Sequence, residues 1–503
     1  MEATMKDSLD GVPDHDSAVT ATVQTFGLHT ISNTATVGEG KTTKIRMLEF
    51  FSGIGGMRIS LEKALGLLNN ETNKQEEQKT YVLESCRAYD ISLHANNVYH
   101  YNFCSNSQSN SKKSKNKNCH SVCTKLVEQL KPEDIAPLQA NLWTMSPPCQ
   151  PFTTNGEGRG KQRLDASDKR CNGLKGIVKL LEALDANDKP KWILLENVKG
   201  FKDSAMCEIW CDCLRNNGYS HQSFVLSPVE FGIPNHRTRY YLLAELDSKR
   251  WFHEEMNSKE KSAVYCSSSI SNGDATDIQT EEEKRRTPFV HGITSLSASD
   301  EITKRPIHKV GRYIDDHQEQ YSLLERDKDS HENHFASTLL DPHLVPRKIL
   351  LKAWSKGLGI VSKNDKATHC FTAGYGRIYH RSTGSLLLIE GSKADIERNG
   401  AALEALPLDR SDMAIYEHQL RRFKPEELLR LFGFVDVDAG VDNNSNSNSS
   451  GHANDNRDSR ERKNVFEIPS SVVPSLEQRY KLIGNSINVD VVTELLRELL
   501  LSA

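Results

Sequence analysis

The chain has 503 residues, 37% of them hydrophobic and 26% charged, with a formal net charge of −4. That length supports roughly two to four units of ordinary domain size, and no apolar run approaches the ~18 residues of a membrane-spanning helix. The slight acidic excess excludes a uniformly basic nucleic-acid coat, so a polyanion has to be held by a local patch.

Residues 1–43 are polar and acidic, carrying Glu2, Asp7, Asp10, Asp14 and Asp16, and lack the apolar stretch of a secretory signal. They are expected to form a disordered extension. Eleven cysteines, an odd number without an export signal, are expected as free thiols of a reducing compartment. Ile45–Phe51 then reads as a buried strand, followed by the glycine-rich turn Phe51-Ser-Gly-Ile-Gly-Gly56. A helix follows with Leu61, Ala64, Leu65 and Leu68 on one face. Further strands are expected at Tyr81–Ala88, Asn141–Met145, Trp192–Leu195, Gln222–Leu226 and Arg239–Leu243, with a helix at Leu174–Leu184. This alternation predicts an α/β fold with a mainly parallel sheet, whose ligands sit at the carboxyl ends of the strands. The stretches 105–118, 254–286 and 439–462 are too poor in apolar residues to build a core. The last helix carries an apolar stripe of Val492, Leu495, Leu496, Leu499 and Leu500.

Four groups of residues carry chemistry. Gly53, Gly55 and Gly56 at a strand-to-helix turn permit close backbone approach to a ligand, or serve a plain turn. Asp90, after the second strand, is placed to accept ribose hydroxyl hydrogen bonds, and the missing phosphate-loop lysine argues against a phosphate-rich ligand. Cys149 lies in Ser146-Pro-Pro-Cys-Gln-Pro151, where three prolines stiffen a strand-end loop; it is either a presented nucleophile or an inert thiol. Glu196 follows the apolar run Trp192–Leu195, where an acid is costly unless partnered, and suits a proton donor to a heterocycle nitrogen. Arg237 and Arg239 alternate before a strand, so they face one side and are placed to position an anion or the Glu196 carboxylate. Cys207, Cys211 and Cys213, and Cys119, His120 and Cys123, lack paired metal-ligand spacing; no metal site is expected.

In this order the four groups resemble the cytosine-5 methyltransferase family, which closes with a Gly-Asn-Ser element, here Gly484, Asn485 and Ser486. The strings SPPCQPFT, ILLENVKGF, GIPNHRTRY with Asn235 where DNA enzymes usually carry Gln, and CFTAGYG at Cys370–Gly376 resemble the tRNA aspartic-acid methyltransferase branch. So do RRFKPEELLRLFGF and QRYKLIGNSINV, and the resemblance spans roughly residues 44–250 and 340–503. It implies a doubly wound S-adenosylmethionine-dependent sheet over 44–246, with an insertion at 105–118. A target-recognition region at 247–438 and a linker at 439–463 follow, and 464–503 completes the catalytic unit. It implies that Phe51, Gly53, Ile54, Gly55, Gly56, Asp90, Val127, Glu128, Ser146, Asn485 and Ser486 bind S-adenosylmethionine. Cys149 would attack cytosine C6, Glu196 would donate to N3, and Arg237 and Arg239 would position that carboxylate and the base. Asn235, Cys370, Tyr375 and Arg377 are candidate substrate contacts. Arg347-Lys348, Arg421-Arg422 and the run Arg377 to Arg381 are candidate phosphate contacts. The implied substrate is cytosine 38 in the anticodon loop of tRNA-Asp, with DNA as the alternative. A monomer of the cytoplasm, with the nucleus as a second compartment and no membrane partner, is expected. Asn141 departs from the branch, which usually has Asp there, and residues 254–335 match nothing in it.

Overall fold

A computed structural model describes residues 41–74, 79–104, 120–153, 165–246, 305–315, 341–399, 407–437 and 465–501. The polar stretches expected at 105–118, 254–286 and 439–462, and all but three residues of the acidic extension, lie outside the described residues.

The principal sheet has seven strands in the order β3-β2-β1-β4-β5-β7-β6. These are β1 (Lys41–Phe50), β2 (Lys79–Tyr89), β3 (His120–Cys123), β4 (Leu142–Met145), β5 (Trp192–Val198), β6 (Tyr219–Leu226) and β7 (Arg239–Leu246). β1, β2, β3, β4 and β5 pair in parallel, and β7 runs antiparallel to both neighbours. β1 begins four residues before the apolar run, because Lys41–Lys44 continue the ladder with Lys79–Val82. Lys44 and Arg46 pair with Glu84 on β2, which steadies this polar end. The strand order reverses between β1 and β4, and the crevice beyond their carboxyl ends is where open α/β sheets bind ligands.

The side-chain alternation of β1 explains the layers. Ile45 and Met47 join the cluster under helix α1 (Gly56–Lys74) and the terminal helix Val489–Leu501. Leu48 and Phe50 join the opposite cluster with Trp143, Ile177 and Trp210. The terminal helix is lashed to α1: Ser60 Oγ donates to the Val489 carbonyl (3.0 Å), and Arg497 pairs with Glu71 (3.1 Å). Residues 484–501 thus pack on the start of the sheet, far from their neighbours in sequence.

A second, three-stranded sheet joins β8 (Ile360–Val361), β9 (Leu386–Leu388) and β10 (Leu420–Arg422) in the order β10-β9-β8. Here the expectation for Arg421-Arg422 as phosphate contacts is corrected. Both are buried: Arg421 makes a bidentate pair with Glu427 (2.7 Å each), and Arg422 stacks on Tyr379. Buried in this way, neither guanidinium is presented at the surface to a phosphate. Among the described residues, no helix is long and apolar enough to cross a membrane.

Candidate active site

β1 ends at Phe50, and the chain turns sharply through three left-handed residues: Phe51 (φ 55), Gly53 (φ 53) and Gly55 (φ 92). A phenylalanine in that region is strained, and here its ring rests on Gly173, where an added Cβ would come within 2.8 Å of it. The Gly53 N–H donates to Asp90 Oδ2 (2.8 Å), and the Ser92 N–H donates to Asp90 Oδ1 (2.7 Å). Asp90 therefore anchors the loop itself, and each oxygen keeps a lone pair for a ligand hydroxyl. Gly56 opens α1 against Ile487, with room for no side chain: a Cβ would lie 2.7 Å from Ile487 Cγ1. This contact brings the Gly484-Asn485-Ser486 element to the glycine loop. Ile54 is buried.

The second loop leaves β4. Ser146 Oγ donates to the Phe51 carbonyl (3.1 Å), tying this loop to the glycine turn. Asn197 Nδ2 donates to the Pro147 carbonyl (3.2 Å), tying it to the end of β5. Cys149 sits between these ties, half-buried, at the start of a short helical turn over Gln150–Phe152. Burial pushes its thiol up, the Glu196 charge adds to that, and Arg239 and Arg237 oppose it.

Glu196 is buried near the end of β5, opposite Tyr241 of β7. Its Oε1 lies 3.3 Å from Arg239 Nε. Burial raises its carboxyl, against Arg239 and then Arg237, which favour the charged form. The result is an acid inclined to keep its proton, with the thiol of Cys149 within its electrostatic reach.

Arg237 takes a different part from the one expected. Its side chain donates to the carbonyls of Phe371 (2.8 Å), Gly484 (3.3 Å) and Ser486, and its guanidinium lies over the Phe432 ring. It clamps three segments together and reaches Glu196 only through its charge. Cys370 Sγ lies 3.7 Å from Arg237 Nη1 and 3.9 Å from Arg239 Nη2. Burial pushes this thiol up, but the two guanidinium groups outweigh it and hold it below its ordinary value.

The other candidate residues divide. Val127 is buried, and Glu128 packs its backbone on Gly176, both in the turn after β3. Asn485 is exposed, and the backbone carbonyl of Ser486 is committed to Arg237. Tyr375 is corrected from substrate contact to core. It is buried, its O–H donates to the Ser385 carbonyl (2.7 Å), and it accepts from the Phe423 N–H (2.9 Å). Asn235 is also buried, with neither amide atom partnered among the described residues. Arg377 is exposed. Cys207 and Cys213 pack inside the helix Ala205–Asn216 against Tyr240 and Val178. Among the described residues, no group of three or more His, Cys, Asp or Glu is placed to hold a metal.

The sequence model of the family described as C-5 cytosine-specific DNA methylase matches residues 45–500. The chain belongs to this family. Among curated relatives, the tRNA (cytosine(38)-C(5))-methyltransferase of Rattus norvegicus is 30% identical over 463 residues, covering 90% of this chain and 98% of that protein. The DNA (cytosine-5)-methyltransferase of Dictyostelium discoideum is 29% identical over 467 residues, covering 91% and 94%. The crystal structure of the Dnmt2 methyltransferase of S. pombe shares the fold, with a TM-score of 0.53 at 24% identity over 91% of this chain and 98% of that one. A mutant DNMT2 of Spodoptera frugiperda gives a TM-score of 0.54 at 25% identity over 91% and 99%.

One buried acid of this methylase was not singled out from the sequence. Glu49 lies on β1 beneath the glycine turn, fully buried, and neither oxygen makes a hydrogen bond of normal geometry. Its signal was available, since an acid inside IRMLEFF is as costly as one after WILL. Burial pushes its carboxyl up to about 8, against Arg58, Tyr99 and the N–H groups of Arg58 and Met57. The folded form therefore holds a proton that the unfolded chain releases near pH 4.5, and stability falls as pH rises from there to about 8. Glu49→Gln is expected to match the parent at the acid end of that window and to exceed it at the alkaline end by on the order of 5 kcal/mol. Urea unfolding at both ends checks this; an equal difference at both would overturn it.

Proposed function

We propose that this methylase transfers the methyl group of S-adenosylmethionine to C5 of a cytosine in tRNA, at position 38 of the anticodon loop of tRNA-Asp, through a covalent adduct between Cys149 and C6. The observation that carries this reading is the convergence of Cys149 and Glu196, at the carboxyl ends of β4 and β5, with Arg239, at the amino end of the antiparallel β7, beside the glycine turn.

Bound S-adenosylmethionine supplies an electrophilic methyl on a sulfonium. The residues fit such a group: a glycine turn where a Cβ at Gly53 meets no atom within 4 Å, the buried unpartnered Ser52 hydroxyl, and an acid at Asp90 for ribose hydroxyls. Cytosine C5 is a poor nucleophile, and addition of the Cys149 thiolate to C6 makes it an enamine carbon. Glu196, held by Arg239, passes its proton to N3, so the negative charge that addition would place on the ring does not build up. Once C5 carries the methyl group, loss of the C5 proton expels the thiolate, and N3 returns its proton to the Glu196 carboxylate, which restores the neutral aromatic ring.

RNA is favoured because the relatives that support the reading are mostly tRNA enzymes and because a loop cytosine needs little unstacking. The DNA reading has the Dictyostelium relative in its favour. Incubation with tritiated S-adenosylmethionine and either unmodified tRNA or duplex DNA separates them. Label is expected in tRNA, at the position that bisulfite sequencing locates; label in DNA alone would overturn the reading.

A further inference from the structure

Beside the candidate active site lies a cavity of about 570 Å³, lined by His236, Ala367, Thr368, His369, Cys370, Arg381 and Ser382. Its lining holds an arginine and two histidines but no acid. Its position is set by Cys370, which belongs both to the cavity wall and to the arginine pair. Arg239 reaches Cys370 with one nitrogen and Glu196 with another. A single guanidinium therefore bridges the acid that would grip the target base and the wall of the cavity.

The walls are built rather than loose. The Thr368 hydroxyl and N–H both donate to the Pro234 carbonyl (2.7 and 2.9 Å), and the His236 N–H donates to the Thr368 carbonyl (3.0 Å). Thr383 Oγ1 donates to the carbonyls of Ile378 and His380 (2.9 and 2.8 Å), which fixes the strap that carries Arg381. His369 engages Ser385 Oγ through Nδ1 (3.1 Å), so Nε2 is the ring nitrogen left for a ligand. Arg381 is exposed and has no ion-pair partner among the described residues. A hydrogen-bonded concavity with one arginine at its rim and two flat rings, and no carboxylate to repel an anion, fits one nucleotide of a single strand.

We propose that this cavity is a subsite for the nucleotide adjoining the target cytosine in a single-stranded RNA loop. Its phosphate lies on Arg381, and its base lies against His236 and His369. The assignment rests on the RNA methyltransferase reading and adds the element that selects the sequence around the cytosine.

The test uses the full chain with a short anticodon stem–loop RNA, and with the same RNA made abasic at the position on either side of the target cytosine. Arg381→Gln is expected to raise KM for the RNA about tenfold. It should also reduce the slope of log Kd against log salt by about 0.7, the loss of one single-strand phosphate contact. One abasic RNA should raise KM about tenfold in the parent and add nothing further in His369→Ala. Unchanged S-adenosylmethionine affinity shows that each variant is folded. A salt slope equal to the parent's, or abasic and His369→Ala effects that multiply, overturns the subsite. If the parent binds the stem–loop without methylating it, the functional reading fails while the slope still decides the subsite. If the parent binds no RNA, both fail.

Discussion

Cys149→Ala is expected to lower methyl transfer by about 10⁴-fold or more while leaving S-adenosylmethionine affinity intact, since the nucleophile acts only in the chemical step. It should also abolish the covalent complex with RNA carrying 5-fluorocytosine, read as a band on a denaturing gel. Two thiols make the outcome informative. Cys370 shares Arg239 with the site and is held below its ordinary pKa, whereas burial and Glu196 push Cys149 up. By ionisation alone Cys370 is the more ready nucleophile, but Cys149 sits on the loop tied to both the glycine turn and the end of β5. Geometry therefore selects Cys149. An adduct that survives in Cys149→Ala and disappears only when Cys370 is also replaced would reverse that choice.

Glu196→Gln is expected to lower kcat by about 10²- to 10⁴-fold, because an amide can donate a hydrogen bond to N3 but cannot release a proton to it. The pH profile carries a second signature. The working form needs a thiolate at Cys149 and a proton on Glu196, and burial raises both groups. Rate should climb as the thiol ionises and fall as the carboxyl deprotonates, giving a bell whose two limbs belong to the coupled pair. In Glu196→Gln the alkaline limb should vanish, leaving a single rise set by ionisation of the thiol. A bell that keeps its alkaline limb in the variant would assign the proton to another group.

Much of the scaffold was readable because its strands are short apolar runs with chemistry at their ends. IRMLEFF and WILLEN each end at a loop beside the site, and RYYLL begins at the arginine that meets Glu196. β3 was missed since His120–Cys123 offers four residues of mixed polarity directly after the Asn/Ser/Lys stretch, with no periodicity to read. The reversed direction of β7 was equally hidden, because strand composition does not encode orientation. The reassigned residues share one cause. Arg237, Tyr375 and Arg421 find their partners in segments remote in sequence or across a turn, and a polar side chain that meets a buried carbonyl or carboxylate looks, in sequence, like one that meets a ligand. Glu49 was passed over for a related reason: the groups that face it, the Arg58 charge, the Tyr99 hydroxyl and two N–H groups of α1, come from separate segments that no single motif announces.

The three carbonyls gathered by Arg237 come from residues 371, 484 and 486, while the arginine itself precedes them by more than a hundred positions. A chain emerging from the ribosome carries Cys149 and Glu196 long before it carries the backbone that fastens Arg237. On the proposed assignment of the site, catalytic competence has to wait during translation until the region around Ser486 has been made, and a message truncated shortly before that point is expected to yield a protein that carries Cys149 and Glu196 but no activity.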